Sequence, residues 1–345
     1  MATYSNLHGR RVNVVSSNPS NPQEGEVWYN STLQQLKGYV LGTAVWTSGG
    51  NLNTKRSATV AGTTTAGLAS FGYIYPPSSP EGGSNVTEEY NGTAWTTVNT
   101  ANTPRYQVNS TGTQTAAVAF GGFAGAGSTP GGGPYSVTTA FESYNGTTWT
   151  NLTGAPTAKA GDAPMAGTST ALVQVAGIVD TSGTPSNQVQ EYNGSWSAGE
   201  NYPASTQGTS AAGTLTASVF VGGATNAPGS SKLDTAFEYD GTDFSSTGSI
   251  TTAATSFGGR TGTQTASIFA GGTSPFNNTT LEYNGSVFAV NPATPVSGRP
   301  SIGQGKMSGT SNTAAIVAGA GSTPTMTATE EFAGAELAIK TLTTS

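Results

Sequence analysis

The chain has 345 residues, only 9% of them charged, and carries a net charge of −6. No cluster of Lys and Arg beyond Arg10–Arg11 could neutralise phosphates, so we expect no nucleic-acid partner. No apolar run approaches the roughly eighteen residues of a membrane-spanning helix, so we expect no membrane insertion. The sequence contains no cysteine, which excludes disulfides and every thiolate site.

Short runs of Thr, Val and aromatic residues, separated by Gly and Asn, predict many short strands and tight turns with almost no helix. These apolar runs can bury enough surface to offset the entropy of ordering, so we expect a folded chain. Residues 1–11 lack the apolar core of a secretory signal, although the Thr/Ser/Asn/Gly-rich composition is typical of an extracellular surface. We therefore expect the protein to stay inside the cell or to leave it by another route.

Residues 13–49 predict a three-stranded meander that follows the turn at Pro19–Gly25. The predicted strands are Glu26–Asn30, Gln35–Val40 and Ala44–Thr47. The phrase Pro22–Thr32, followed by Leu36–Lys37, Tyr39 and Trp46, resembles a module common in structural proteins of tailed bacteriophages. In that family the module reads as Pro, an acidic–Gly pair, an apolar–Trp–Tyr–Asn core, then Leu–Lys and an aromatic residue. The resemblance implies that this segment attaches the chain to a virus particle.

From Leu52 onward, two phrases recur in step about every fifty residues, which is typical of a repeat architecture. A Thr–Ala pair opens the apolar phrase at Thr65, Thr115, Thr170, Thr216, Thr265 and Thr313. The second phrase carries its aromatic residue at Tyr90, Tyr144, Tyr192, Tyr239, Tyr283 and Phe332. Because two independent anchors keep the same period, we interpret residues 52–343 as six copies of one structural unit.

One period predicts four antiparallel strands. Tyr106–Thr111 is the first strand, and Thr115–Phe120 is an apolar second strand, as expected where both faces are covered. A Gly–Gly pair ends the second strand, a variable loop follows, and the third strand reaches Tyr144. Asn145–Gly146 then predicts a two-residue hairpin in which both residues have positive φ. The same turn is predicted at Asn91–Gly92, Asn193–Gly194, Asp240–Gly241 and Asn284–Gly285, whereas Ala333–Gly334 departs from it.

Four strands per period, the Gly–Gly pair, and Glu, Tyr and Trp at fixed offsets together resemble the kelch repeat of β-propellers. This resemblance implies an all-β fold, a kelch-like β-propeller of four-stranded antiparallel blades. Six repeats favour six blades, with the last fourth strand at Glu336–Lys340, but the N-terminal meander with Arg11–Val15 could supply a seventh blade. Both alternatives stay open. We expect two domains, the meander at residues 1–50 and the propeller at residues 51–345.

The recurring acidic and aromatic side chains are interpreted as structural, because a catalytic acid is needed once or as one pair, not in every repeat. We expect the glutamates to accept hydrogen bonds and the aromatic residues to fill the space between blades. These blade-structural residues are Glu89, Tyr90, Trp95, Glu142, Tyr144, Trp149, Glu191, Tyr192, Trp196, Glu238, Tyr239, Glu282 and Tyr283, with Glu331 as the sixth recurring glutamate.

Residue types argue against catalysis, metals and cofactors. His8 is the single histidine, so neither a Ser–His–Asp triad nor the copper site of enzymes resembling galactose oxidase is available. The few arginines do not suit a sialidase. Arg56, Arg105, Lys159 and Arg299 precede the first strands of four repeats; they either line one face of the ring or are solvated or paired at the blade ends.

The loops between the second and third strands differ among repeats, and variable loops on a rigid scaffold commonly carry recognition. Five loop aromatics are therefore candidate ligand-binding residues, of interest for stacking on a sugar, although each could instead pack against its own blade. They are Tyr73, Tyr75, Phe123, Tyr135 and Phe276.

These observations predict a non-enzymatic phage virion protein displayed on the tail or capsid and contacting the host surface, a glycan or receptor. The resemblance of the N-terminal module implies that residues 1–50 contact other virion proteins and that several copies assemble in the particle. Such a protein is made in the host cytoplasm and released by lysis, so it needs no export signal. The alternatives are a kelch-like carbohydrate- or protein-binding module of cellular origin and, third, a glycan-cleaving enzyme.

Overall fold

A computed structural model of the chain describes residues 12–74, 82–125, 135–161, 163–226, 230–255, 257, 261–272, 278–295, 307–319 and 327–343. These residues form strands and turns without an α-helix, as predicted. Within the same ranges, no helix long and apolar enough to cross a membrane is found. The chain divides into two compact units, Met1–Val45 with Gly334–Ser345, and Trp46–Ala333.

The first unit is one four-stranded sheet in the order β1-β2-β3-β32. Its strands are β1 (Asn13–Val15), β2 (Val27–Asn30), β3 (Gln35–Leu41) and β32 (Leu337–Thr341). β1 runs parallel to β2, whereas β2–β3 and β3–β32 are antiparallel. Trp28 is fully buried and its indole N–H donates to Asn18 at 3.1 Å. Two segments from far apart in the sequence therefore build this unit.

The second unit contains the repeats. Its first strands in chain order are β4 (Val45–Ser48), β5 (Ser57–Gly62), β6 (Gly67–Ile74), β7 (Gly82–Gly83), β8 (Thr87–Tyr90), β9 (Trp95–Val98), β10 (Arg105–Tyr106), β11 (Asn109–Thr113), β12 (Ala116–Phe120), β13 (Phe123–Ala124), β14 (Ser136–Val137), β15 (Phe141–Tyr144) and β16 (Trp149–Leu152). They continue as β17 (Met165–Gly167), β18 (Leu172–Val175), β19 (Val189–Tyr192), β20 (Trp196–Ala198), β21 (Ser210–Thr214), β22 (Ala217–Val221), β23 (Ala236–Tyr239) and β24 (Phe244–Ser246). The last are β25 (Thr261–Thr263), β26 (Ala266–Ala270), β27 (Thr280–Tyr283), β28 (Phe288–Asn291), β29 (Met307–Ser311), β30 (Ala314–Ala318) and β31 (Thr329–Ala333).

The repeats form four-stranded sheets, as predicted from the period, and in sheets 1 to 5 the strands of this path pair antiparallel in chain order. We number the sheets along the chain as sheet 1 (β5-β6-β8-β9, with β7 beside β6), sheet 2 (β11-β12-β15-β16), sheet 3 (β17-β18-β19-β20), sheet 4 (β21-β22-β23-β24), sheet 5 (β25-β26-β27-β28) and sheet 6 (β29-β30-β31-β4). A small sheet, β10-β13-β14, lies beside them.

Sheet 6 corrects the expected strand assignment. Its fourth strand is not Glu336–Lys340 but β4, and Trp46 on β4 packs against Phe332 at 5.2 Å between ring centroids. Leu337–Thr341 instead pairs with β3, with Leu41 opposite Leu337. Trp46 thus belongs to the repeats and not to the N-terminal module. The expected boundary between residues 50 and 51 accordingly lies at Val45–Trp46, and residues 334–345 belong to the first unit.

The Gly–Gly pair after the second strand needs positive φ at both positions, as Gly121 (68°) and Gly122 (92°) show. A Cβ on Gly121 would lie 2.1 Å from the carbonyl oxygen of Lys159. Sheets 1 and 3 place Phe71 (55°) and Ala176 (56°) at the first of the two positions. The left-handed region costs roughly 1–2 kcal/mol for a residue with a side chain. At Phe71 that cost is offset by packing, since its ring lies 5.1 Å from Trp149.

The Asn–Gly turns are longer than predicted. Tyr90 pairs with Trp95, so the loop holds four residues, and of its Asn–Gly pair only Gly92 has positive φ. The Asn91 side chain stabilises this loop by accepting from the N–H groups of Thr93 and Ala94 at 3.0 and 2.9 Å. The two-residue hairpin was therefore wrong, because the side chain of Asn replaces the second positive φ as the turn-forming element.

Candidate functional site

The recurring glutamates fall into two sets on opposite faces of the third strand. Glu88 and Glu142 stand two positions before the aromatic residue and are buried, whereas Glu89 stands one position before it. Successive residues of a strand point to opposite faces, so a shift of one position changes the surroundings completely. Grouping Glu142 with Glu89 was therefore wrong; Ser143 occupies the position of Glu89 in sheet 2.

Glu88 and Glu142 each form an ion pair with a buried arginine. Arg56 pairs with Glu88, and Arg105 pairs with Glu142 at 2.7 Å; all four side chains are at most 1% exposed. Arg105 also donates to the carbonyl oxygen of Gly121 at 2.6 Å. Burial lowers the pKa of both arginines, and the paired carboxylates oppose this shift. These arginines neither line an open face of the second unit nor lie in solvent.

The same glutamates hold the segments that join one sheet to the next. Glu142 accepts from the backbone and side-chain nitrogens of Asn102 at 2.8 and 2.9 Å. In sheet 3 a neutral side chain does the same work, since Gln190 accepts from Thr157 N–H at 2.8 Å. Lys159 is buried beside Ser186, to which it donates at 2.6 Å, and burial lowers the pKa of Lys159 to about 8. Arg299 lies outside the described residues.

The second set of glutamates bonds to tyrosines of the following sheet. The phenol hydroxyl donates in Tyr144–Glu89 (2.8 Å), Tyr239–Glu191, Tyr283–Glu238 (2.8 Å) and Tyr90–Glu331 (2.6 Å). Burial, together with the carboxylate, raises the pKa of Tyr90 and of Tyr283 to about 12. We call these four contacts the Tyr–Glu clamps. Glu282 has no such tyrosine because Phe332 follows it, and it accepts from Asn291 at 2.6 Å instead.

The tryptophans of the fourth strands make a second kind of bond between sheets. The indole N–H donates to a threonine of the preceding sheet in Trp46–Thr280 (2.9 Å), Trp95–Thr329 (2.8 Å) and Trp149–Thr87 (2.9 Å). In these Trp–Thr bonds and the clamps, the indole N–H groups, tyrosine hydroxyls and glutamate carboxylates of the recurring side chains form hydrogen bonds between sheets. Their placement agrees with the structural role that the sequence predicted for them.

The junction between sheets 2 and 3 departs from both patterns. Ser143 replaces the clamp glutamate and Phe141 replaces the threonine, so within the described chain Tyr192 has no hydrogen-bond partner for its hydroxyl. The turn in sheet 3 is also one residue shorter, since Tyr192 pairs with Trp196 across three residues. Tyr192 and Trp196 are partly exposed here, whereas Tyr144 and Trp149 in sheet 2 are 2% and 6% exposed. Trp196 donates to the exposed carbonyl of Thr153 at 3.1 Å.

A cavity of about 440 Å³ opens at this junction; we call it the rim cavity. It is lined by Leu152, Thr153, Gly154, Pro156, Tyr192, Gly194, Ser195 and Trp196. The ring of Trp196 is supported from within by Phe141 at 5.0 Å and Phe120 at 5.3 Å. This site was not predicted from the sequence, although Ser143 and Phe141 stand there where sheet 1 has Glu89 and Thr87.

A second cavity, of about 330 Å³, is lined by residues from the first strands of all the numbered sheets, among them Val60, Ser110, Ala166, Ala212, Gly262 and Gly309. Some of its lining hydroxyls bond to backbone carbonyls of other sheets: Thr111 donates to Gly167 at 2.5 Å and Ser308 to Gly62 at 2.9 Å. No charged side chain lines this cavity. These two hydroxyls thus hold neighbouring sheets together.

The loop aromatics that were predicted to bind ligand pack against one another. Tyr73 and Phe123 are 3% and 6% exposed, and both contact the buried Tyr106, at 5.3 and 5.1 Å between centroids. Tyr135 is partly buried and packs edge-on against Phe123 at 5.2 Å. Tyr75 and Phe276 lie outside the described residues. Tyr73 and Phe123 thus belong to a small core, and Tyr135 packs at its edge.

The described residues hold no group of three or more His, Asp or Glu side chains able to bind a metal ion. No protein-family model matches the sequence, and no curated protein matches it. In its three-dimensional structure the chain is similar to a solved structure of YjhT, with 14% sequence identity and a TM-score of 0.61 over 83% of this chain and 97% of YjhT. At this identity the similarity concerns the fold. The chain is therefore an all-β protein with a β-propeller-like fold.

Proposed function

We propose that this chain is a non-enzymatic structural protein of a tailed-phage virion, in which the first unit attaches a displayed six-bladed propeller to the particle. The observation that carries the proposal is the location of exposed apolar side chains. In the described ranges, most large exposed hydrophobics belong to the first unit, namely Val12, Val14, Tyr29, Leu33, Leu41, Val45, Leu337 and Ile339.

Several of these side chains lie together on the sheet. Leu41 is opposite Leu337, and Ile339 is opposite Tyr39 on the same two strands, so Leu41, Leu337 and Ile339 share one face. They are 57%, 38% and 36% exposed. Single exposed hydrophobics are normal, but a group of them marks an interaction site. This supports attachment of the first unit to other virion proteins.

The six-bladed reading is supported by contacts inside the second unit. The first strands contact one another in the order β5, β11, β17, β21, β25, β29, and β29 contacts β5 again. β4 completes sheet 6 with a strand from the other end of the unit. Closing a ring in this way hides strand edges that would otherwise pair with other chains. The meander strands pair with β32, which argues against a seventh blade.

The structural role is supported by the use of the recurring polar groups. The glutamates of sheets 1 and 2 are occupied by arginines, tyrosines and backbone N–H groups, and no cluster resembling a paired acid and base remains at these positions. In this proposal the protein is made in the host cytoplasm, assembles in several copies next to other virion proteins, and leaves by lysis. The displayed propeller is then free to contact the host surface.

Mass spectrometry of purified particles tests the assignment, since the protein must be present in them. Attachment is tested by the double variant Leu41→Asp/Leu337→Asp, which is expected to reduce incorporation at least about tenfold, or ~1.4 kcal/mol. The matched control is Val287→Asp/Val290→Asp, which changes two valines of the second unit that are 56% and 60% exposed. Absence of the protein from particles, or equal incorporation of both double variants, would contradict the proposal.

A further inference from the structure

In the described chain, the rim cavity lies at a junction that lacks both the Tyr–Glu clamp and the Trp–Thr bond found between other sheets. Clamps join sheets 1–2, 3–4, 4–5 and 6–1, and Trp–Thr bonds join sheets 1–2, 5–6 and 6–1. Of the junctions that the structure describes, the one between sheets 2 and 3 has neither. Tyr192 at this junction is partly exposed, whereas the corresponding Tyr90, Tyr144, Tyr239 and Tyr283 are buried.

The lining of the rim cavity selects against charged ligands. It contains no Asp, Glu, Lys or Arg. A phosphate, carboxylate or ammonium group would find no ion-pair partner there. The lining therefore favours a neutral ligand.

The same lining is complementary to a ligand that is apolar on one face and polar at its edge. Trp196 offers an aromatic face, held in place by Phe141 and Phe120. The cavity is also lined by Tyr192, Ser195, Gly194 and Thr153, whose hydroxyl and backbone groups are able to form hydrogen bonds. A volume of about 440 Å³ lies within the range of small-molecule sites. A pyranose ring has this combination of C–H faces and edge hydroxyls.

We propose that the rim cavity is a binding site for a neutral sugar, whose pyranose ring stacks on Trp196 while its hydroxyls bond to the Tyr192 hydroxyl and the Ser195 side chain. This proposal goes beyond the structural role above and does not depend on the virion assignment. An exposed aromatic with a polar edge suits a ligand that stays partly wet, as a sugar within a glycan does. A fully apolar ligand would leave the Tyr192 hydroxyl without a partner.

The test is a titration of the full chain with free glucose, galactose, mannose and N-acetylglucosamine. The chain has five tryptophans, so its indole N–H signals can be resolved by NMR and the Trp196 signal assigned with Trp196→Phe. We expect at least one of these sugars to shift the Trp196 signal saturably, with a Kd near or below about 10 mM. The Trp149 indole, which is bonded to Thr87, is the internal control and should not shift.

Variants separate binding from folding. Trp196→Ala should lower affinity at least about tenfold, and Tyr192→Phe about three- to tenfold for one lost hydrogen bond. Ser143→Glu should supply the missing clamp, keep or raise the melting temperature, and weaken sugar binding by engaging the Tyr192 hydroxyl. Sugar binding is measured in parallel by saturation transfer to the sugar protons.

Two results would overturn the proposal: no saturable shift at about 50 mM of any of the four sugars, or equal saturation transfer in the unaltered chain and in Trp196→Ala. A folded Ser143→Glu variant that binds sugar unchanged would contradict the assigned role of Tyr192. Shifts caused only by an added apolar peptide would mean that a protein partner, not a sugar, occupies the cavity.

Discussion

Removing one member of the buried Arg105–Glu142 pair should destabilise the second unit by about 3–5 kcal/mol, because the remaining charge is buried without compensation. The chain itself suggests how to remove both charges. Sheets 4 and 5 carry Phe237 and Leu281 at the strand position of Glu142, so this repeat already accepts an apolar side chain there. The variants are Arg105→Met, Glu142→Leu and the double variant that combines them.

The hydrogen bonds of Arg105 and Glu142 determine the loss in unfolding free energy expected for each variant. In Glu142→Leu, the guanidinium of Arg105 keeps its bonds to the carbonyls of Gly121 and Ala140, at 2.6 and 3.1 Å, but loses its counter-charge. In Arg105→Met, the carboxylate keeps only the two bonds from Asn102. The double variant buries no charge and gives up mainly the Asn102 bonds, at about 1 kcal/mol each. Its loss should therefore be only about 1–2 kcal/mol, well below the sum of the single losses.

Chemical denaturation of the four proteins, followed by intrinsic fluorescence, gives the free energies of a double-mutant cycle. The expected coupling energy is several kcal/mol, since either single change alone leaves a buried charge. Against a total stability of about 5–15 kcal/mol, each single loss is easily measured. Single variants within about 1 kcal/mol of the unaltered protein, or a double variant that loses the sum of both, would show that the two charges are not coupled in this way.

Three further predictions concern other contacts. Burial lowers the pKa of Lys159 to about 8, so between pH 8 and 10 the unfolded chain binds more protons than the folded chain. The free energy of unfolding should therefore rise by about 2 kcal/mol between these pH values. Denaturation curves at several pH values should show this rise in the unaltered protein and not in Lys159→Met. Tyr144→Phe breaks a clamp and should cost about 1–2 kcal/mol, whereas Tyr192→Phe, at the junction without a clamp, should cost less than about 0.5; equal losses in thermal melts would contradict the distinction. Trp46→Ala should cost about 3–5 kcal/mol in the same assay, and an unchanged melting temperature would mean that β4 does not stabilise sheet 6.

Much of the fold could be predicted because the repeats are locally consistent. The apolar second strand, the Gly–Gly pair and the Tyr-to-Trp spacing each describe contacts within one sheet, so a short window contains the information. The fourth strand of sheet 6 could not be found this way. β4 and β31 are separated by most of the chain, and Glu336–Lys340 has a strand pattern that suits either partner. Only the pairing in three dimensions distinguishes them.

The candidate site was harder to predict for a different reason. Loop aromatics such as Tyr73 and Phe123 have the composition of a binding surface, but they bury one another. The rim cavity arises from what one repeat lacks, a glutamate at Ser143 and a threonine at Phe141. A missing bond is invisible until the bonds in the other sheets are known. The one-position difference between Glu142 and Glu89 was also hard to interpret from the sequence, because only the strand register shows which face of the sheet each side chain occupies.

The pairing of β3 with β32 makes the stability of the second unit depend on strands outside it. Leu41 and Leu337 stand opposite each other, so the polypeptide between them is a closed loop whenever this pairing holds. A non-covalent closure of a loop of roughly 300 residues removes conformational entropy from the unfolded second unit, by a term of order 5 kcal/mol at most. The short β3–β32 ladder thus acts on the unfolded ensemble as a reversible cross-link. Substitutions that weaken it should lower the melting temperature of the second unit without touching any of its residues.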